Sequence, residues 1–95
     1  MKFYNSYRKE ILMDNGAIFE NIKDIIVGLF RVERNELHLN IELSKVKNLD
    51  SLGRLNLFLE VESHFNVKLP MEETMNIVTL NDLLQLVIKE RNHHE

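Results

Sequence analysis

A chain of 95 residues, with 12 Lys plus Arg against 15 Asp plus Glu, has room for one small domain and no second core. At 44% apolar and 28% charged it has the material to fold. The absence of cysteine removes disulfide frameworks, thiolate zinc sites and thiol nucleophiles together. Three Gly and one Pro argue against glycine-rich phosphate loops, sandwiches and barrels, and no Walker A, GxGxxG, HExxH or EF-hand pattern occurs. The net charge of −3 is uneven, because Lys2, Arg8 and Lys9 outweigh Glu10 near the start and leave the rest of the chain more acidic. An acidic body is a poor reader of a phosphate backbone, so nucleic-acid binding is set aside. No apolar run approaches the roughly 20 residues of a membrane span. MKFYNSYRKEILMD lacks the apolar stretch of a signal peptide, so the expected location is cytoplasmic.

Residues 1–13 offer a short amphipathic pattern through Tyr4, Tyr7, Ile11 and Leu12, and such a terminus more often frays or docks through an aromatic. From Ala17 to Phe30 the pattern is helical, with Ile18, Ile22, Ile25, Ile26 and Leu29 on one stripe and Asp14 or Asn15 as cap. The connector from Arg31 to Leu49 alternates Leu37, Leu39, Ile41 and Leu43 with polar residues, as a half-buried strand does. A strand needs a partner, and the chain has no second alternating run. The expectation is therefore a long loop, with room for a helical turn, pinned across a helical core.

Asp50 to Phe65 is helical again, with two apolar bands. Leu57, Phe58, Val61 and Phe65 suit a core, while Leu52, Leu55 and Leu59 lie beside them with Glu62 between. Such a helix is either central or exposes one band to a partner. Lys68-Leu69-Pro70 breaks the chain, Met71 to Asn76 allows one short helix, and Thr79 with Asp82 forms a capping-box-like start to a last helix. Its buried stripe is Leu80, Leu83, Leu84, Val87 and Ile88.

No catalytic triad is visible, and no His pair has the i, i+4 spacing of a helical metal site. His93 and His94 suit a tail, His38 a loop and His64 a polar helix side. The pairs Glu60/Glu62 and Glu72/Glu73 read as solvated faces. Asp50-Ser51-Leu52 stands apart because it lies where the long loop enters a helix, which exposes the Ser51 hydroxyl near free amides and positive dipole. Taken alone, the tripeptide is an ordinary helix cap.

The stretch LDSLGRLNLFLEVESHFNVKLP resembles the acyl carrier protein family, whose phosphopantetheine attachment motif is an Asp-Ser-Leu opening the second helix. The resemblance continues through Leu57, Phe58, Val61, Glu62, Phe65, Val67 and Leu69-Pro70, and covers roughly residues 16–91. It implies an all-α four-helix bundle with three main helices, one short helix and a long first loop. Residues 1–15 would be an extension, 16–91 the carrier domain and 92–95 a tail. The resemblance further implies 4′-phosphopantetheine on Ser51, with Asp50 and Leu52 completing the motif and the cofactor supplying the thiol that the chain lacks. Leu52, Leu55, Leu59 and Glu62 match positions that meet partner enzymes.

The implied partners are a phosphopantetheinyl transferase, an acyl- or aminoacyl-loading enzyme and a downstream synthase or transferase, all served by a non-catalytic monomer. Asn48 stands where the family often has Gly, and Gly53, Arg54, Asn56 and Ser63 stand where acids are frequent. Asp-Ser-Leu-Gly also resembles D-alanyl and other aminoacyl carriers. Two alternatives therefore stay open, a peptidyl or D-alanyl carrier and an unmodified helical interaction module.

Overall fold

The computed structural model describes residues 14–92, and residues 1–13 and 93–95, His93 and His94 among them, lie outside the described residues. Among the described residues there are four α-helices: α1 (Asn15–Phe30), α2 (Ser51–Phe65), α3 (Met71–Thr74) and α4 (Leu80–Asn92). The expected all-α arrangement, three main helices and one short one after a long first loop, is the arrangement found.

Each long helix starts where a side chain satisfies an open amide. Asp14 accepts the Ala17 N–H at 2.8 Å, so α1 begins two residues before Ala17. Asp50 accepts the Gly53 N–H at 2.8 Å at the start of α2. Ahead of α4, Thr79 Oγ1 accepts the Asp82 N–H at 3.1 Å. Asp82 returns a carboxylate oxygen to the N–H groups of Thr79 (3.0 Å) and Val78 (2.9 Å), completing the capping box. Arg31 ends α1 with φ 59° and Asn66 ends α2 with φ 56°, both left-handed caps without glycine.

α1 packs on α2 and α4. Its buried row is Ile18, Ile22, Ile26 and Phe30, at i, i+4 spacing. Leu29, expected in the stripe, is half exposed, because Phe30 turns inward beneath α2 in its place. Leu57 and Val61 of α2 are fully buried, each contributing about 1.5–3 kcal/mol of transfer free energy. On α4 the buried set is Leu80, Leu83, Leu84, Leu86 and Val87, with Ile88 only partly covered.

The 31–49 connector crosses the bundle in two single 3-10 turns, Arg34–Glu36 and Leu43–Lys45. Leu37 and Leu43 point into the core while Leu39 is exposed, so the alternation does not mark one buried face. Its partner is the segment entering α4. Leu43 N–H donates to the Val78 carbonyl (2.9 Å), and the Leu80 and Asn81 N–H groups donate to Ile41 and Leu39 (both 2.9 Å). The result is a single antiparallel bridge between Glu42 and Thr79, not a strand. Arg34 ties the other end of the connector to α1 through Glu20 and Asp24.

Candidate functional site

The long connector delivers the chain to α2 through a tight corner at Asn48–Ser51. Asn48 has φ 69°, a left-handed conformation that Asn tolerates better than most residues. Its side-chain amide donates to the Phe30 carbonyl at 3.1 Å, so the corner also closes the C-terminal end of α1. Gly53 sits directly above. A Cβ there would lie 2.8 Å from Phe30 Cε1, 3.2 Å from the Asn48 carbonyl and 3.3 Å from Asp50 Oδ1. Gly53 is therefore required by the approach of α2 to Phe30, which accounts for it without reference to cargo.

Ser51 is the first residue of α2 and is exposed. Among the described residues no intramolecular hydrogen bond engages its hydroxyl. Asp50 caps the helix with one carboxylate oxygen, leaving the other unassigned. Leu52, Leu55 and Leu59 follow along one side of α2 and are 66%, 53% and 53% exposed, while Leu57, Phe58, Val61 and Phe65 on the other side are buried. The two bands anticipated on this helix thus separate, one into the core and one toward solvent.

The family model described as "Phosphopantetheine attachment site" matches residues 20–87, most of the chain. The acyl carrier protein of Wolinella succinogenes is 30% identical over 71 residues, covering 75% of this chain and 93% of the relative. That of Coprothermobacter proteolyticus is 31% identical over 75 residues, 79% of this chain and 92% of the relative. The acyl carrier protein of Chlorobium phaeobacteroides is 28% identical over 78 residues and is covered completely. The chain belongs to the acyl carrier protein family. The cofactor of this family is 4′-phosphopantetheine, a covalent group. The exposed hydroxyl fits it, since a phosphodiester can form there without displacing an existing contact.

Two neighbouring residues have tertiary roles that the sequence does not announce. Glu62, expected at a partner surface, accepts the Leu69 N–H through Oε2 at 2.8 Å and holds the α2–α3 linker just before Pro70. Arg54 donates from Nη2 to the carbonyls of Thr74 (2.9 Å) and Ile77 (2.6 Å), while its guanidinium lies 5.1 Å from the Phe58 ring centroid. Both are half-buried. Neither role has a local signal, because the acceptors are backbone groups 20 and 23 residues away in one case and the donor is 7 away in the other.

Between α3 and α4 lies an open groove of about 250 Å³, floored by Ile77 and Leu86 and rimmed by Glu73 and Lys89. Lys89 bonds both Glu73 oxygens at 2.9 Å, which raises the lysine pKa through that hydrogen bond. His38 is exposed in the connector, and His64 packs edge-on to Phe65 with centroids 4.8 Å apart. Among the described residues no group of three or more His, Cys, Asp or Glu is arranged to hold a metal, and no helix is long and apolar enough to cross a membrane.

Proposed function

We propose that Ser51 carries the 4′-phosphopantetheine arm as a phosphodiester on its hydroxyl, and that the chain presents acyl groups to separate enzymes without catalysing a reaction itself. The observation that carries this reading is the exposed and unengaged hydroxyl at the first turn of α2, beside a capping Asp50. When attached, the group supplies a thiol that takes acyl cargo as a thioester. Residues 16–91 form the carrier domain.

The chain's own residues orient the root of the arm and offer a docking face. Asp50 fixes the helix start, and its second oxygen is available to a transferase or to a metal ion that the transferase brings. Asn48, Phe30 and Gly53 lock the corner, so Ser51 projects from a fixed helix start. Leu52, Leu55 and Leu59 provide apolar surface for a phosphopantetheinyl transferase, an acyl-loading enzyme and a downstream synthase or transferase. Glu62 borders this band with Oε1, the oxygen not bonded to Leu69. The free energy of docking comes chiefly from apolar burial, since Asn56 and Ser63 add no charge.

The test is labelling with a fluorescent coenzyme A and a broad-specificity phosphopantetheinyl transferase, followed by peptide mapping. Label on the peptide containing Ser51 supports the assignment. Label on another residue, or none on folded protein with several transferases, overturns it, the latter in favour of an unmodified interaction module.

A further inference from the structure

α3 contributes no buried residue, and polar contacts fasten it. Lys89 holds Glu73 from α4, and Arg54 holds the Thr74 and Ile77 carbonyls from α2. The Arg54 contact has two unusual properties. Its acceptors are neutral carbonyls, and among the described residues no carboxylate pairs with this cation. Both bonds also come from Nη2, whereas a guanidinium has five N–H donors spread over Nε, Nη1 and Nη2. The donors on Nε and Nη1 are spare.

Arg54 is three residues beyond Ser51 on the same helix. Helix residues at that spacing are surface neighbours, with Cβ atoms about 5–6 Å apart, well within the reach of an arginine. Guanidinium also matches phosphate oxygens better than an ammonium does, through its planar fork of donors. Resting on the Ser51 assignment above, we infer that Arg54 is the residue that binds the phosphodiester, using Nε and Nη1 while Nη2 keeps its hold on α3. Modification of Ser51 is then transmitted to α3 as tighter fastening. The anion restrains the guanidinium, so less side-chain freedom is lost in keeping the two carbonyl bonds. Arg54 acts as a positioning residue, and its guanidinium carbon lies 5.1 Å from the centroid of the Phe58 ring, which helps to hold the group in place.

The experiment compares unmodified and phosphopantetheinylated wild-type protein, with intact mass establishing that modification has occurred. Two readouts follow: amide hydrogen exchange at residues 73–76, and the Nε–H resonance of Arg54. The modified form should exchange these amides about threefold more slowly, the size expected of a solvent-facing charge pair, and the Arg54 Nε–H should shift. In Arg54→Met, which removes the guanidinium and keeps an unbranched apolar side chain, modification should leave α3 exchange unchanged. Lys89→Met should loosen α3 in both forms and preserve the ratio between them.

Equal or faster α3 exchange in modified wild type, or an unmoved Nε–H, overturns the inference and leaves the Ser51 assignment standing. Failure to gain mass removes the Ser51 assignment, and this inference with it.

Discussion

Gly53→Ala puts the packing beneath the site under direct strain. In an exposed helix interior the change would stabilise by about 1 kcal/mol through helix propensity, and somewhat less so close to a helix start. Here the added methyl meets Phe30 Cε1 at 2.8 Å, against the roughly 3.5–4.0 Å of a comfortable carbon contact. The Phe30 ring is buried, and two further contacts at 3.2 and 3.3 Å come from the Asn48 carbonyl and Asp50 carboxylate. Both are tethered, Asn48 through its amide on the Phe30 carbonyl and Asp50 through its bond to the Gly53 N–H. Relief therefore requires moving α1 and α2 apart or breaking the cap.

Overpacking of this kind costs about 1–3 kcal/mol, which outweighs the propensity gain and leaves a net loss of about 1–2 kcal/mol. In a domain of this size that corresponds to a fall in Tm of roughly 5–15 °C. Urea unfolding followed by far-UV circular dichroism should show a lower midpoint at unchanged slope. In a Phe30→Leu background, which removes the clashing ring, the same substitution should cost less, a coupling of about 1 kcal/mol. Gly53→Ala as stable as wild type, or strictly additive with Phe30→Leu, would refute the packing argument.

Two further outcomes are expected. Asp82 is held below the ordinary aspartate pKa, first by the Thr79 backbone N–H and then by that of Val78. Its stabilising contribution is therefore complete above the ordinary aspartate range and disappears as the pH falls through the depressed folded-state value. The stability gap between wild type and Asp82→Asn should close on acidification, and a gap that is constant with pH would contradict this. Leu55→Asn should leave stability within about 0.5 kcal/mol, since the side chain is already 53% exposed. Loss of a docking anchor costs about 1–2 kcal/mol, so kcat/KM of a cognate acyl transferase for the modified protein should fall roughly five- to thirtyfold. Unchanged kcat/KM across Leu52, Leu55 and Leu59 variants would remove the docking face.

The parts of this fold that were legible in sequence are those that local chemistry determines. The i, i+4 isoleucines of α1, the two bands of α2 and the Thr79–Asp82 box depend on residues within one or two turns of each other. Ser51 was conspicuous for the same reason, as a hydroxyl at a capped helix start. Long-range contacts decided what was not legible. The helical stripe put Leu29 in the core, and Phe30 is buried instead because α2 brings Gly53 over its ring. The alternation at Leu37–Leu43 suggested a strand because half of a bridging pattern was present, and its partner at Thr79 was disguised as a helix cap. Arg54 and Glu62 looked like surface charge on a carrier helix, yet both secure backbone groups around α3.

The most direct test of the account is the intact mass of wild-type and Ser51→Ala protein after incubation with coenzyme A and a broad-specificity phosphopantetheinyl transferase. The expected result is a gain of one phosphopantetheine by wild type and none by Ser51→Ala. The same gain in Ser51→Ala, or no gain in folded wild type with several transferases, would contradict it.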